Sequence, residues 1–144
     1  MIRLVVFDAY GTLFDVYCVS EMAESVFPGQ GAALSVLWRD KQIEYSRLIS
    51  MSDPLNPTGS RHYQSFWDLT RLALQYSCQR LKLELTPSIQ KLLMDQYSQL
   101  KAFPENLEVL QSLKQSGMRC AILSNGSPDM LKTAITSAGM MGLI

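Results

Sequence analysis

Two short polar segments of the chain carry residue types that can do chemistry. One is DAYGT at residues 8–12, which begins with Asp8, and the other is SNGS at residues 124–127. An aspartate can act as a nucleophile or bind a metal ion, and amide and hydroxyl groups beside it can orient it or stabilise a developing negative charge. Asp, Asn, Ser and Gly are also common turn residues, so each segment alone is compatible with simple turn formation.

Each polar segment follows an apolar run that predicts a strand. Residues 2–7 and 118–123 are short and mostly apolar, which is typical of strands buried in a parallel sheet. Ligands of open α/β sheets usually bind at the carboxyl ends of the strands, where both polar segments would lie. Because a charge at the end of a buried strand is costly unless it is stabilised, we expect Asp8 either to cap a turn or helix or to do chemistry.

The chain between and after these strands is expected to be mostly helical. Apolar residues such as Trp38 and Leu48 recur on one helical stripe, and a stretch with two prolines and a glycine follows at residues 51–61. Thr86 and Ser127 each precede a proline, as N-caps often do. We expect helices over residues 31–50, 62–81, 86–101, 104–117 and 127–139.

This order of elements predicts an α/β fold. Two strands far apart in sequence are natural parallel neighbours in one sheet, and the helices between them indicate a cap inserted after the first strand. We expect residues 1–14 and 101–144 to form an incomplete Rossmann-like core and residues 15–100 to form the helical cap. A cleft between core and cap is the expected active site.

Composition argues against several classes of function. Thirteen basic residues balance thirteen acidic ones, so a nucleic-acid partner is not expected. No apolar run is long enough to span a membrane, and the first one is too short for a signal peptide. Three widely spaced cysteines fit neither a disulfide framework nor a zinc site, and they indicate a cytoplasmic protein. The single histidine, His62, lies in a loop-like stretch, which argues against a Ser or Cys hydrolase triad.

Together the two polar segments resemble motifs of the haloacid dehalogenase superfamily. The pattern D-x-x-G-T after the first strand resembles its first motif, and Ser124 resembles its second. Most members of that superfamily are phosphatases that carry a general-acid aspartate two residues after the nucleophile, where this chain has Tyr10. Without that acid an alkoxide leaving group is harder to protonate, whereas a halide leaves without a proton.

Three segments narrow the resemblance to L-2-haloacid dehalogenases: FDAYGTLFDV, LWRDKQIEYSRL and AILSNGSPDML. The resemblance implies that an L-2-haloalkanoate and water give a D-2-hydroxyalkanoate and halide through an ester on Asp8. It implies that Arg39, Asn125 and Phe66 receive the halide and that Ser124 and Thr12 orient carboxylate groups. The residues that it implies as substrate contacts are Ala9, Tyr10, Phe66, Ser124 and Asn125.

The expected partner is a small 2-halo acid, and the expected assembly is a homodimer. No cofactor and no metal are expected, because Tyr10 occupies a position that usually frames magnesium in the phosphatases. Full members of the family continue with further core strands and with a lysine on a later loop, a position that none of the lysines here occupies. The chain is therefore expected to be the front part of a longer enzyme.

The residues themselves leave other interpretations open. Apart from the resemblance, Arg39 is a solvated or stacking arginine, Phe66 an ordinary core or interface aromatic, and Asn125 a turn residue. Two functions other than dehalogenation are also compatible with the sequence. One is a magnesium-dependent phosphatase of the same superfamily, and the other is an inactive fragment that pairs its exposed sheet edge with another chain.

Overall fold

The structure is a computed structural model that describes residues 3–144. Within this range the chain forms two strands, β1 (Leu4–Phe7) and β2 (Arg119–Ile122), and six α-helices. The helices are α1 (Val19–Val26), α2 (Gly31–Met51), α3 (Phe66–Arg80), α4 (Pro87–Ser98), α5 (Asn106–Gln115) and α6 (Pro128–Ser137). The chain divides into two compact units: an α/β unit (Met1–Cys18 with Gln96–Ile144) and a helical unit (Val19–Asp95).

In the α/β unit, β1 and β2 pair in parallel, with Phe7 opposite Ile122. The predicted parallel pairing and the α/β class are thus confirmed, although Ile2 of the expected first strand lies outside the described residues. The expectation that both strands are buried is wrong. In β1, Leu4 is 43% exposed and Val6 is 52% exposed, and no residue of β2 is fully buried. Within residues 3–144 the sheet has only these two strands, and the face that carries Leu4 and Val6 is left open.

Local capping signals set several helix ends. Thr86 Oγ1 accepts a hydrogen bond from the Ile89 amide at 3.3 Å, and Ser127 Oγ accepts one from the Met130 amide at 3.3 Å, so both predicted N-caps are confirmed. Helix α3 begins at Phe66 rather than near residue 62, because Ser65 Oγ accepts from the Asp68 amide and ends the loop there. Helix α4 ends three residues earlier than expected, and α5 is two residues shorter than expected at each end.

In the helical unit, α2 packs against both α1 and α3. Leu34 and Trp38 of α2 are buried, as the helical stripe predicts. Leu48 was expected on the same stripe but is 58% exposed, because the part of α2 over residues 43–51 contains no buried side chain. None of the helices formed by the described residues combines the length and the apolarity needed to cross a bilayer.

Candidate active site

The carboxyl ends of β1 and β2 bring the two polar segments to the same edge of the sheet. The Leu123 amide donates to the Phe7 carbonyl at 2.9 Å, directly before each segment leaves the sheet. Asp8 follows Phe7, and Ser124 follows Leu123. The parallel register therefore places the Asp8 segment beside the Ser124 segment, as expected for a ligand site of an α/β sheet.

Asp8 is exposed and is oriented by a neighbouring hydroxyl group. Thr12 Oγ1 donates to Asp8 Oδ2 at 3.2 Å. The expectation that Asp8 ends a buried strand and needs stabilisation is wrong, because β1 is only partly buried and the Asp8 side chain is exposed. The geometry instead gives a solvent-accessible carboxylate whose position is restricted by one hydrogen bond.

A tight turn returns Thr12 towards Asp8. The Ala9 carbonyl accepts hydrogen bonds from the Leu13 amide at 2.9 Å and from the Phe14 amide at 3.0 Å. Gly11 has a φ of 97°, a backbone conformation that side chains with a Cβ rarely adopt. Ala9, Leu13 and Phe14 are buried, so apolar contacts anchor both ends of the turn.

Asn106, the first residue of α5, holds the same turn from the other side. Its Nδ2 donates to the Thr12 carbonyl at 3.0 Å and to the Leu13 carbonyl at 2.9 Å. No sequence pattern marked this residue as part of the site. Its only local signal is an asparagine at a helix start, which usually indicates capping and does not reveal a partner more than ninety residues away.

Tyr10 is a buried aromatic beside the nucleophile candidate. It is 5% exposed, and its ring stacks on Tyr97 with centroids 5.9 Å apart and an interplanar angle of 21°. Burial, and to a lesser extent the neighbouring Tyr97, raises the pKa of the Tyr10 phenol far above its usual range. Tyr10 therefore stays neutral at physiological pH and can shape the site without adding charge.

The segment after β2 is a compact turn that lies against Tyr10. Ser124 Oγ accepts from the Gly126 amide at 3.1 Å, while Asn125 is exposed. An added Cβ at Gly126 would lie 2.8 Å from Tyr10 Cε2, so the ring is in close contact with the backbone there. This contact couples the two polar segments directly.

The other two predicted site residues, Arg39 and Phe66, belong to the helical unit. Arg39 on α2 is half-buried, and its Nη1 donates to Gln42 Oε1 at 2.7 Å. Phe66 begins α3 and is 6% exposed. Within its own unit, Phe66 is thus a core aromatic. Its predicted contact with a halide stays a prediction.

The absence of a metal also stays a prediction. Within residues 3–144, no group of three or more His, Cys, Asp or Glu side chains is arranged to hold a metal ion. The chemical groups assembled at the sheet edge are a carboxylate, two hydroxyls, a neutral phenol and an amide. They suit an anionic nucleophile with polar groups that orient it.

Comparison with known proteins gives the family. A sequence profile of haloacid dehalogenase-like hydrolases matches residues 2–143. Haloacetate dehalogenase H-2 of Moraxella sp. (strain B) is 39% identical over 98% of this chain, which covers 59% of that relative. The chain thus spans little more than half of the relative's length.

Solved structures agree with the profile. The L-2-haloacid dehalogenase RSc1362 matches 99% of this chain with 55% identity and a TM-score of 0.91, and 61% of that protein is covered. The L-2-haloacid dehalogenase of Xanthobacter autotrophicus, solved with chloropropionic acid covalently bound, matches the whole chain with 38% identity and a TM-score of 0.87, over 55% of its own length. From profile, identity and fold together, the chain belongs to the haloacid dehalogenase-like hydrolases.

Proposed function

We propose that this protein catalyses the hydrolytic dehalogenation of L-2-haloalkanoic acids to D-2-hydroxyalkanoic acids. The observation that carries the proposal is the exposed Asp8 carboxylate at the carboxyl end of β1, oriented by Thr12 and flanked by the segment after β2. A similar enzyme, that of Xanthobacter autotrophicus, has been solved with chloropropionic acid covalently bound. A covalent intermediate on Asp8 follows naturally from such a carboxylate.

The first step is a displacement at the substrate's C2 carbon. A carboxylate oxygen of Asp8 forms the new C–O bond as the carbon–halogen bond breaks, and the halide leaves with the bonding electron pair. In-line attack inverts C2, so the L substrate leads to the D product. Because Thr12 holds Oδ2, we assign the attack to the other oxygen, Oδ1.

The second step hydrolyses the ester. Water adds to the carbonyl carbon of the Asp8 ester, the bond from that carbon to the substrate oxygen breaks, and the oxygen leaves with the hydroxy acid. Loss of one proton restores the Asp8 carboxylate. The oxygen of the product's new hydroxyl group therefore comes from Asp8, and water replaces it in the protein.

The remaining residues have supporting roles in this proposal. Arg39, Asn125 and Phe66 receive the halide, because a developing anion needs a cation and amide donors, and an apolar wall excludes water. Arginine suits this role because its rigid fork of donors stays charged when it is partly buried. Ser124 and Thr12 orient carboxylate groups, while Ala9 and the neutral Tyr10 shape the substrate site.

Three further properties belong to the proposal. The helical unit acts as the cap, and the protein works without a metal in the cytoplasm, where its three free thiols would stay reduced.

The protein is also proposed to be a homodimer. Three apolar or aromatic side chains of the helical unit are each more than half exposed, and apolar groups open to water favour association: Leu48, Met51 and Tyr63. Light scattering should then give twice the chain mass of 16.2 kDa.

Substrate assays test the function directly. Halide release from L-2-chloropropionate should persist in EDTA, and the D enantiomer should be a poor substrate. Hydrolysis of p-nitrophenyl phosphate should be slow with or without magnesium. Arg39→Lys should lower halide release strongly and leave the fold intact, because a point charge does not replace the fork. Robust magnesium-dependent phosphate release would overturn the proposal in favour of a phosphatase.

A further inference from the structure

A chain of hydrogen bonds in the helical unit links Arg39 on α2 to Phe66 on α3. Arg39 Nη1 donates to Gln42 Oε1 at 2.7 Å, and Gln42 Nε2 donates to Thr70 Oγ1 at 2.5 Å. The Thr70 hydroxyl in turn donates to the Phe66 carbonyl at 2.6 Å. These hydrogen bonds therefore join Arg39 and Phe66, the two residues of this unit that are proposed to receive the leaving halide.

The middle of this hydrogen-bonded chain is completely buried. Gln42 and Thr70 are both 0% exposed. Burying such polar groups is costly unless each finds a partner, and within residues 3–144 every buried side-chain nitrogen or oxygen has one. An apolar residue would fill the same space without that requirement. An amide at position 42 thus points to a role beyond packing.

The direction of each hydrogen bond is fixed by chemistry. A guanidinium only donates, so Gln42 must turn Oε1 towards Arg39 and Nε2 towards Thr70. The Thr70 hydroxyl has a single hydrogen, which it gives to Phe66, so it must accept from Gln42. Trp38 Nε1 also donates to the Thr70 carbonyl at 2.7 Å and fastens α3 to α2 at this point.

We infer that Gln42, held in place by Thr70, is a positioning residue that sets the orientation of the Arg39 guanidinium. Only the catalytic consequence of this inference rests on the proposed function, in which Arg39 binds the leaving halide. Displacing a charge-stabilising group by about 1 Å can cost a reaction about 100-fold in rate. Chloride is a poorer leaving group than bromide, so chloride release depends more strongly on a correctly placed Arg39.

The first test measures Arg39 itself. Rotation of arginine guanidinium groups is followed by ¹⁵N NMR, with the exposed Arg47 of the same helix as an internal reference. Arg39 should rotate about tenfold more slowly than Arg47, as expected for a charge-assisted hydrogen bond to a buried acceptor. Two variants should make the Arg39 guanidinium rotate faster. They are Gln42→Leu and Thr70→Val, which keeps the shape of the side chain and loses the hydroxyl. Thr70→Ser keeps the hydroxyl and is the matched control.

The second test uses the reaction. Thr70→Val and Gln42→Leu should lower kcat for the chloro acid about tenfold more than for the bromo acid and change KM little. Thr70→Ser should keep the wild-type ratio of the two rates. A purely structural role would change the stability of the protein without changing this ratio between leaving groups.

Each arm has a result that overturns the inference. Arg39 rotating as fast as Arg47 in the wild-type protein would refute it, and this result needs no variant to fold. Unchanged Arg39 rotation in a Gln42→Leu protein that circular dichroism shows to be folded would refute it equally. An unchanged ratio of leaving-group rates in an active enzyme would remove the link to catalysis. Complete absence of halide release from wild type would sink the proposed function, while the NMR arm would still decide whether Gln42 positions Arg39.

Discussion

The ring of Tyr10 lies directly against the backbone of Gly126. A Cβ at position 126 would be 2.8 Å from Tyr10 Cε2 and 3.1 Å from the Tyr10 hydroxyl oxygen. Tyr10 in turn stacks on Tyr97, with centroids 5.9 Å apart. The ring is therefore held between Tyr97 and the segment that carries Ser124 and Asn125, and a glycine is what lets that segment approach.

Gly126→Ala should disturb this contact. Because Tyr10 is buried, the ring or the segment must shift, and such overpacking typically lowers the free energy of unfolding by about 1–3 kcal/mol. Urea unfolding of the single variants and of Gly126→Ala with Tyr10→Ala gives the coupling between the two positions. The cost of Gly126→Ala should largely disappear in the Tyr10→Ala background. Equal costs in both backgrounds would mean that the contact with the ring is not the cause.

Asn106→Asp should loosen the turn that holds Thr12 beside Asp8. The change replaces two donated hydrogen bonds, at 3.0 and 2.9 Å, by a carboxylate that faces two carbonyl oxygens. We expect the free energy of unfolding to fall by about 1–3 kcal/mol and kcat by about tenfold. Gln111→Glu makes the same chemical change at an exposed position of α5 and should alter both quantities little. Matching effects of the two variants would point to added charge as the cause.

Local signals in the sequence were enough to predict that the two polar segments lie at the same edge of the sheet. Strands that pair in parallel end at the same edge, so Asp8 and Ser124 were expected together from their positions alone. The N-caps at Thr86 and Ser127 could be predicted in the same way, because a capping side chain binds an amide only three residues away.

Features that depend on distant partners could not be predicted in the same way. Strand burial depends on what covers the sheet, and the apolar runs do not encode that. The bonds from Asn106 to the turn and from Gln42 to Thr70 join residues that are far apart in sequence. Asparagine and glutamine have no periodic signal that reveals such partners, since either residue is usually found on the surface.

The raised pKa of Tyr10 predicts a contribution to stability that alkaline pH removes. Burial favours the neutral phenol in the folded protein, so this contribution is present below the usual pKa of 10.0 and is lost as pH rises above it. Tyr10→Phe lacks the titrating group. The free energy of unfolding of wild type should therefore fall relative to that of Tyr10→Phe between about pH 10 and 11, by up to about 1.4 kcal/mol per pH unit. Urea unfolding at stepwise pH measures it, and parallel pH profiles for the two proteins would contradict the prediction.

The two-step route through Asp8 makes a specific prediction about where oxygen travels. In a single turnover in heavy-oxygen water, the hydroxyl oxygen of the product should come from Asp8 and carry no label. Water attacks the ester carbonyl carbon, so the label should enter the Asp8 carboxylate and be found by mass spectrometry on the peptide that contains residues 7–12. Product should carry label only in later turnovers.

Asp8→Asn is the matched control for the labelling experiment. Its side chain keeps an oxygen that can accept from Thr12, but a neutral amide is a poor nucleophile, so neither halide release nor label in the protein is expected. If Asp8 served instead as a general base for direct attack by water, the label would appear in the first product and none would enter the protein. That result would remove Asp8 from the role of nucleophile. Because halide would still be released, it would refute the ester route while leaving dehalogenation itself in place.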